Sequence, residues 1–308
     1  MLVGAAPCNR CVSASAVRRT CPTSSARRSS SILCARNVSA TPATGNPRWS
    51  CAATATDAKF GVTSPSSTAQ PRSRVRESSA RSCVAKLLDT GNPVVVLGGG
   101  HDTAWGSYLG RTRCNRLRGQ RVGVLNLDAH FDLRQADEPS SGTPFLQMAR
   151  ADQQAGRTFD YTVLGISEPN NTGVLFRIAD ELGVEYLTDE QCQPRHLEAV
   201  PEVVDRLVER VDAIHLSIDL DVLPAAGAPG VSAPAGYGVP LETIQAVCHR
   251  VARSGKLVLV DVVELLPQID VDGRTARAAA RLITTLAHDA LSAPPTGPAG
   301  NTTGERHE

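Results

Sequence analysis

The chain has 308 residues, 41% of them hydrophobic, and a formal net charge of +1. This length accommodates one large α/β domain or two smaller ones, and no apolar run approaches the roughly 20 residues that span a bilayer. The near-neutral total conceals an asymmetry, because residues 1–83 hold 12 basic and two acidic residues, whereas the remainder holds 20 basic and 29 acidic residues. Two segments of unlike composition are therefore joined in one chain.

Residues 1–83 are rich in Ser and Arg, contain six of the nine cysteines and show no sustained apolar periodicity. Such a segment buries too little apolar surface to offset the entropy of ordering it. Three alternatives stay open: a disordered basic tail, an organelle transit peptide, or an out-of-frame reading of a GC-rich coding region. Cys8 and Cys11 form one CxxC pair without a second pair or a nearby histidine, so we expect no zinc site there.

From residue 84 onward, buried-type strands alternate with amphipathic helices. Strands are predicted at 93–99, 121–127, 161–167, 184–187, 213–218 and 257–266. Helices are predicted at 103–118, 143–155, 172–183, 196–211, 240–254 and 272–291. This alternation predicts a three-layer α/β/α fold with a mostly parallel, doubly wound sheet over residues 84–294, and we expect residues 295–308 to form a flexible tail.

Acidic and histidine side chains follow three of the predicted strands. They are His101, Asp128, His130, Asp132, Asp219 and Asp221. Residues two apart in an extended segment project to the same side, and the carboxyl ends of parallel strands open onto one crevice. A single Asp or His behind a strand is more often a helix cap or a packed side chain. Four converging carboxylates, however, repel one another unless cations separate them, which favours a site for two Mn²⁺-like ions.

The motifs that carry these residues resemble a known family. "GGGHD", "DAHFD" and "SIDLDVLPAAGAPGVSAPAGYGVPLE" are similar to the three signatures of the ureohydrolases, the arginase and agmatinase superfamily. "SSGTPF", "LGISEPNNTGVLF" and "DGRTARAAARL" look like the formimidoylglutamase branch. The absence of a histidine between His130 and His196 favours that branch over arginase. The resemblance covers about residues 84–291 and implies the arginase-like fold.

The resemblance also implies a site and a reaction. One Mn²⁺ would be held by His101, Asp128, Asp132 and Asp219, and the other by Asp128, His130, Asp219 and Asp221. A hydroxide between the two ions would attack N-formimidoyl-L-glutamate and release L-glutamate and formamide, a reaction of histidine degradation. Asp132 would move a proton to the leaving amine, and Glu264 would pair with the amidine.

Four further residues are candidates for substrate binding. Arg134 suits the substrate carboxylate, because a guanidinium binds carboxylates in a bidentate manner. Ser141, Thr143 and Asn171 are candidate hydrogen-bond donors. For each of them, the alternative is an ordinary solvated loop residue.

Two other functions stay open at this point. One is an agmatinase- or guanidinobutyrase-type ureohydrolase that releases urea, and the other is an inactive homologue compromised by an aberrant N-terminal segment. For the leading interpretation we expect a cytoplasmic homo-oligomer that acts on a small molecule, without nucleic acid or membrane partners.

Overall fold

The computed structural model describes residues 50–54, 81–196 and 198–293. Within these ranges, seven strands form one sheet, and every neighbouring pair is parallel. The strands are β1 (Ser50–Thr54), β2 (Val94–Leu97), β3 (Val122–Leu127), β4 (Tyr161–Ile166), β5 (Glu185–Thr188), β6 (Ala213–Asp219) and β7 (Leu257–Val263). Their order across the sheet is β1-β2-β7-β6-β3-β4-β5. The predicted parallel α/β class is thereby confirmed.

Helices connect the strands. They are α1 (81–88), α2 (Thr103–Arg111), α3 (Pro144–Gln154), α4 (Gly173–Glu181), α5 (Ala199–Arg210), α6 (Leu241–Arg253) and α7 (Arg274–Ser292). The prediction extended α2 to residue 118, which is wrong. The carboxylate of Asp89 accepts the backbone N–H groups of Asn115 and Arg116, which fixes a turn where the helix was expected to continue. In the described ranges, no helix combines the length and apolarity needed to cross a membrane.

The helices cover both faces of the sheet. Successive strand residues point to opposite faces. Accordingly, Val124 packs in a core with Tyr108 of α2 and Phe145 of α3, whereas its neighbour Leu125 packs in a core with Leu207 of α5. The second core also includes apolar residues of α6 and α7. The result is the predicted three-layer arrangement.

Two elements were not predicted. β1 lies inside the basic segment 1–83 and pairs with β2 at the edge of the sheet, and α1 begins before residue 84. The sequence of β1, "SCAAT", has no Val, Leu or Ile, which are frequent in most of the other strands, so only its pairing with β2 identifies it. The rest of residues 1–80, the tail 294–308 and Leu197, within the predicted helix 196–211, lie outside the described residues.

The topology determines where the candidate ligands meet. β2, β7, β6 and β3 are consecutive in the sheet, and each is followed at its carboxyl end by at least one of the polar residues singled out in the sequence. Four widely separated stretches of chain are thus brought to one edge of the sheet, the usual position of a ligand site in this class of fold.

Candidate metal centre

Six side chains converge at the carboxyl edge of the sheet. They form two adjoining groups, one of His101, Asp128, Asp132 and Asp219, and the other of Asp128, His130 and Asp221. Within each group, the nitrogen and oxygen atoms that could bind a metal lie within 4.8 Å of one another. All six candidate metal ligands from the sequence are therefore brought together.

The first group surrounds the imidazole of His101. Its Nδ1 lies 3.1 Å from Asp128 Oδ2, 3.0 Å from Asp132 Oδ2 and 3.1 Å from Asp219 Oδ2. An imidazole nitrogen carries at most one proton and cannot donate to three carboxylates. Among the described residues, this fully buried Nδ1 has no hydrogen-bond partner of acceptable geometry. Four ligand atoms thus face a common centre without satisfying one another.

The second group shares Asp128 with the first. The Nδ1 of His130 lies 3.1 Å from Asp221 Oδ2 and 3.4 Å from Asp128 Oδ1. Asp128 therefore directs one oxygen to each group, which is the geometry of a bridging carboxylate. Asp219 directs Oδ2 to the first group but does not belong to the second group, so its bridging role stays a prediction.

Similar local turns hold the two ligand pairs. The N–H of His130 donates to Asp128 Oδ1 at 2.7 Å, and the N–H of Asp221 donates to Asp219 Oδ1 at 2.9 Å. In each pair an aspartate side chain bonds the backbone two residues on, as in an Asx turn. The spacing of two residues therefore fixes the backbone of the second ligand against the carboxylate of the first.

Strained backbone is concentrated at this edge. Asp132 has φ 49° and Glu264 has φ 66°, and among the described residues only one further non-glycine residue, Asp272, has a positive φ. Such conformations cost about 1–3 kcal/mol each and persist where the surrounding contacts enforce them. At Asp132 and Glu264 the left-handed backbone accompanies side chains that contact His101.

Buried polar residues behind the ligands were missed in the sequence. Ser217 Oγ lies 2.8 Å from His101 Nε2, and Asn126 donates to Asp128 Oδ2 at 3.0 Å. Partners of this kind orient metal ligands and select the tautomer of a ligating histidine. A signal was present, because each is a polar residue within a largely apolar strand, two positions before a candidate aspartate ligand.

The protonation equilibria reflect the crowding of charge. Burial, followed by the charge of Asp128, raises the pKa of both Asp132 and Asp221 to about 6. For His130, burial lowers the pKa, but Asp128 and Asp221 outweigh that effect and raise it to about 11. His101 behaves alike, since its carboxylate neighbours overcome the effect of burial and raise its pKa well above the usual value. Cations between the carboxylates would relieve this repulsion.

The residues fit divalent metal ions. A metal–ligand bond of about 2.2 Å is intermediate between those of Mg²⁺ and Ca²⁺. Two ligand atoms that bind one ion at this length and at a right angle to each other lie about 3.1 Å apart. The His101 Nδ1 to carboxylate distances of 3.0–3.1 Å match that separation. Carboxylate and imidazole ligands without a thiolate suit ions of intermediate hardness such as Mn²⁺.

Glu264 borders the first group. Its Oε1 accepts the backbone N–H of His101 at 2.9 Å, and its Oε2 accepts the hydroxyl of Ser232 at 2.8 Å. The backbone N–H of Glu264 donates to the carbonyl of Gly99 at 2.7 Å. The carboxylate of Glu264 is thus hydrogen-bonded to the backbone of His101, whose imidazole belongs to the candidate metal centre. Sequence reasoning identified Glu264 but not Ser232.

Arg134 and Ser141 lie on the exposed loop beside the centre. The backbone N–H of Arg134 donates to the carbonyl of Gly142, and its guanidinium lies close enough to Gly142 that an added Cβ would stand 3.1 Å from Cζ. A Cβ placed on Gly100 would stand 3.2 Å from Glu264 Oε1 and 3.6 Å from Ser141 Cβ. Ser141 and Glu264 therefore flank the same glycine.

Thr143 and Asn171 occupy positions unlike those expected of substrate donors. Thr143 is buried, and its hydroxyl contacts Ser140 and Gln147 within the turn that starts α3. The buried amide of Asn171 donates to the carbonyls of Ala129 and Ser167 and accepts the N–H of Phe131. Asn171 therefore braces the loop that carries His130, and sequence alone did not show which way its side chain faces.

The fold and the site together define a class of protein. A parallel α/β sheet presents, at its carboxyl edge, two adjoining sets of carboxylate and imidazole ligands that share one aspartate, which makes this a candidate two-metal α/β protein. A model of the Arginase family matches residues 17–288, and the chain belongs to the arginase family. The resemblance drawn from the three sequence motifs is thereby confirmed.

Individual relatives extend this result. The formimidoylglutamase of Rhodococcus opacus (strain B4) is 56% identical over 201 residues, which cover 65% of this chain and 63% of that protein. The crystal structure of formimidoylglutamase from Bacillus subtilis subsp. subtilis str. 168 has a TM-score of 0.63 at 22% identity, covering 71% of this chain and 68% of that one. Trypanosoma cruzi formiminoglutamase with Mn²⁺ has a TM-score of 0.64 at 22% identity, covering 75% and 74%. The chain thus spans less than two thirds of the length of its curated relative, and the two crystal structures support the fold.

Proposed function

We propose that this chain is a formimidoylglutamase, which hydrolyses N-formimidoyl-L-glutamate to L-glutamate and formamide in cytoplasmic histidine degradation. The observation that carries the proposal is the pair of ligand groups joined by Asp128, with Glu264 attached to the backbone of His101 beside them. The 56% identity to a curated formimidoylglutamase supports this choice of substrate within the family.

The proposed cofactor is a pair of Mn²⁺ ions. His101, Asp128, Asp132 and Asp219 would hold one ion, and Asp128, His130 and Asp221 would hold the other, with Asp219 as a second proposed bridge. When bound, the ions would lower the pKa of a water molecule and so supply the nucleophile for hydrolysis. The unsatisfied Nδ1 of His101 among three carboxylates supports this assignment.

Glu264 is the proposed partner of the substrate amidinium. A carboxylate facing a planar amidinium forms two parallel, charge-assisted hydrogen bonds. Because Oε1 of Glu264 also accepts the N–H of His101, the amidinium position is tied to a residue of the metal centre. Binding of the amidinium to Glu264 would fix the distance between the amidine carbon and the proposed metal ligands, and it would exclude other orientations of the substrate.

Asp132 is the proposed proton carrier. Its side chain is 11% exposed, compared with 0–4% for the other three carboxylates of the centre. It is thus the most accessible carboxylate to a leaving amine at the mouth of the site.

The loop residues are proposed to recognise the glutamate part of the substrate. The exposed guanidinium of Arg134 and the hydroxyl of Ser141 border the centre on the side of Gly100 and Gly142. A guanidinium suits a carboxylate because it donates two parallel hydrogen bonds. Thr143 would stabilise this loop, and Asn171 would stabilise the loop that carries His130. Neither side chain would contact the substrate.

A comparison of substrates tests the proposal. The purified, Mn²⁺-loaded protein would be incubated with N-formimidoyl-L-glutamate, agmatine or 4-guanidinobutyrate, and both formamide and urea would be measured. We expect formamide from the first compound and little urea from the other two. Urea as the main product would replace the proposal with a guanidine-hydrolysing function. Two bound Mn²⁺ ions without turnover of any of these compounds would identify an inactive homologue.

A further inference from the structure

A loop distant in sequence reaches the proposed amidinium partner. The hydroxyl of Ser232, between β6 and α6, donates to Glu264 Oε2 at 2.8 Å. Glu264 lies 32 residues later in the chain, just after β7. Neither the sequence motifs nor the candidate metal ligands assign a role to this serine.

The residues before Ser232 fix its position. Val231 is fully buried in the core beneath the loop. The N–H of Gly230 donates to Thr275 Oγ1 at 2.8 Å, and the carbonyl of Gly230 accepts the N–H of Leu266 at 2.8 Å. The contact is so close that a Cβ added to Gly230 would lie 2.5 Å from the Cβ of Asp270. The loop is therefore attached to the segment that follows Glu264, and Ser232 is held beside that carboxylate.

The carboxylate of Glu264 can accept further hydrogen bonds in this arrangement. An ionised carboxylate offers about four lone-pair sites, two on each oxygen. In Glu264 the N–H of His101 occupies one site on Oε1, and the hydroxyl of Ser232 occupies one site on Oε2. One site remains on each oxygen. That remainder matches the two parallel N–H groups of an amidinium cation.

Both hydrogen bonds also control the orientation of the carboxylate. Because the terminal torsion of a glutamate side chain is broad, a carboxylate fixed at one oxygen can still rotate. The bond from His101 fixes Oε1, and the bond from Ser232 fixes Oε2, so the plane of the carboxylate is determined. The positive φ of Glu264 sets the direction from which the side chain enters the site.

We propose that Ser232 is a positioning residue for amidinium binding, acting through the carboxylate of Glu264. The consequence for catalysis rests on the proposed function, whereas the consequence for amidinium binding can be measured separately. Removal of the hydroxyl would release Oε2 and weaken the bidentate contact without altering a candidate metal ligand. Because Ser232 is exposed, a threonine at this position has room for its additional methyl group.

The experiment compares Ser232→Ala and Ser232→Thr with the wild type. Thr284→Ala serves as a matched control, since it removes an exposed hydroxyl of α7 that donates to the carbonyl of Ala280. Acetamidinium, a simple amidinium cation, is titrated into each Mn²⁺-loaded protein by calorimetry, and metal content, melting temperature and steady-state kinetics are recorded. For Ser232→Ala we expect about tenfold weaker acetamidinium binding, the effect of losing one charge-assisted hydrogen bond. Ser232→Thr and Thr284→Ala should bind as the wild type does.

The controls separate positioning from structural damage. Metal content and melting temperature should be unchanged in Ser232→Ala, while kcat/KM for N-formimidoyl-L-glutamate falls with acetamidinium affinity. Wild-type affinity in Ser232→Ala, a loss of bound metal, or absence of acetamidinium binding to the wild type would each overturn the proposal. A wild-type protein that binds acetamidinium but releases no formamide would refute the proposed function, and the binding comparison would still decide the role of Ser232.

Discussion

Replacing Asp221 with Asn should stabilise the metal-free protein at neutral pH while impairing metal binding. Asp221 is 3% exposed, and burial together with the charge of Asp128 raises its pKa to about 6 from an ordinary value of 3.8. A carboxylate whose pKa is raised by folding binds its proton more tightly in the folded state. Its unfavourable effect on stability is therefore absent below about pH 4, grows as the pH rises through 6, and is complete at pH 7.5.

The size of the effect follows from this pKa. A difference of about two units, at about 1.4 kcal/mol each, makes the ionised carboxylate cost up to about 3 kcal/mol at pH 7.5. Asn is nearly isosteric and retains an oxygen that can accept from His130 or from the N–H of Ala129, which lie near the carboxylate in the wild type. For a domain of this size, about 3 kcal/mol corresponds to an increase in melting temperature of roughly 5–10 °C.

Thermal unfolding after treatment with a chelator measures this effect. We expect Asp221→Asn to melt above the wild type at pH 7.5 and within about 1 °C of it at pH 4. With saturating Mn²⁺ the order should reverse, because the variant lacks a ligand of the second group. A metal-free variant that is no more stable than the wild type at pH 7.5 would show that repulsion among the carboxylates is not the dominant feature of the empty ligand set.

Three further substitutions address other parts of the site. Asp128→Asn should lose both metal ions and all turnover, as measured by elemental analysis and product release, because one Asp128 oxygen faces each ligand group; retention of two ions would contradict its bridging position. Asn171→Ala should lower stability by about 2–4 kcal/mol in chemical denaturation, since three buried hydrogen bonds are lost, and an unchanged midpoint would rule out the bracing role. Arg134→Ala should raise KM for N-formimidoyl-L-glutamate at least tenfold with little change in kcat, and an unaltered KM would exclude Arg134 from binding the substrate carboxylate.

Much of the fold was predictable because its strands are buried on both faces. A strand such as β7 is an apolar run with one polar residue, and the helices between such runs carry clear apolar stripes. The convergence of the candidate metal ligands was predictable for a related reason, since alternate residues at strand ends face the same side. β1 lacked any such pattern, and only its pairing with β2 identifies it.

The remainder depends on contacts between distant segments. Ser217 contacts His101 across 116 residues, and Ser232 contacts Glu264 across 32 residues, so no local pattern could reveal either pair. Asn171 shows a different difficulty, because its position in a polar loop was equally consistent with facing substrate or bracing the chain. The three buried hydrogen bonds of its amide favour the second role.

The stoichiometry of product release tests the central claim most directly. N-formimidoyl-L-glutamate labelled with ¹³C at the formimidoyl carbon would be incubated with the Mn²⁺-loaded protein, and the products would be followed by NMR. We predict labelled formamide and L-glutamate in equal amounts, formed by the wild type and not by Asp128→Asn. Absence of labelled formamide from a protein with two bound Mn²⁺ ions, or its formation at an equal rate by Asp128→Asn, would contradict the account.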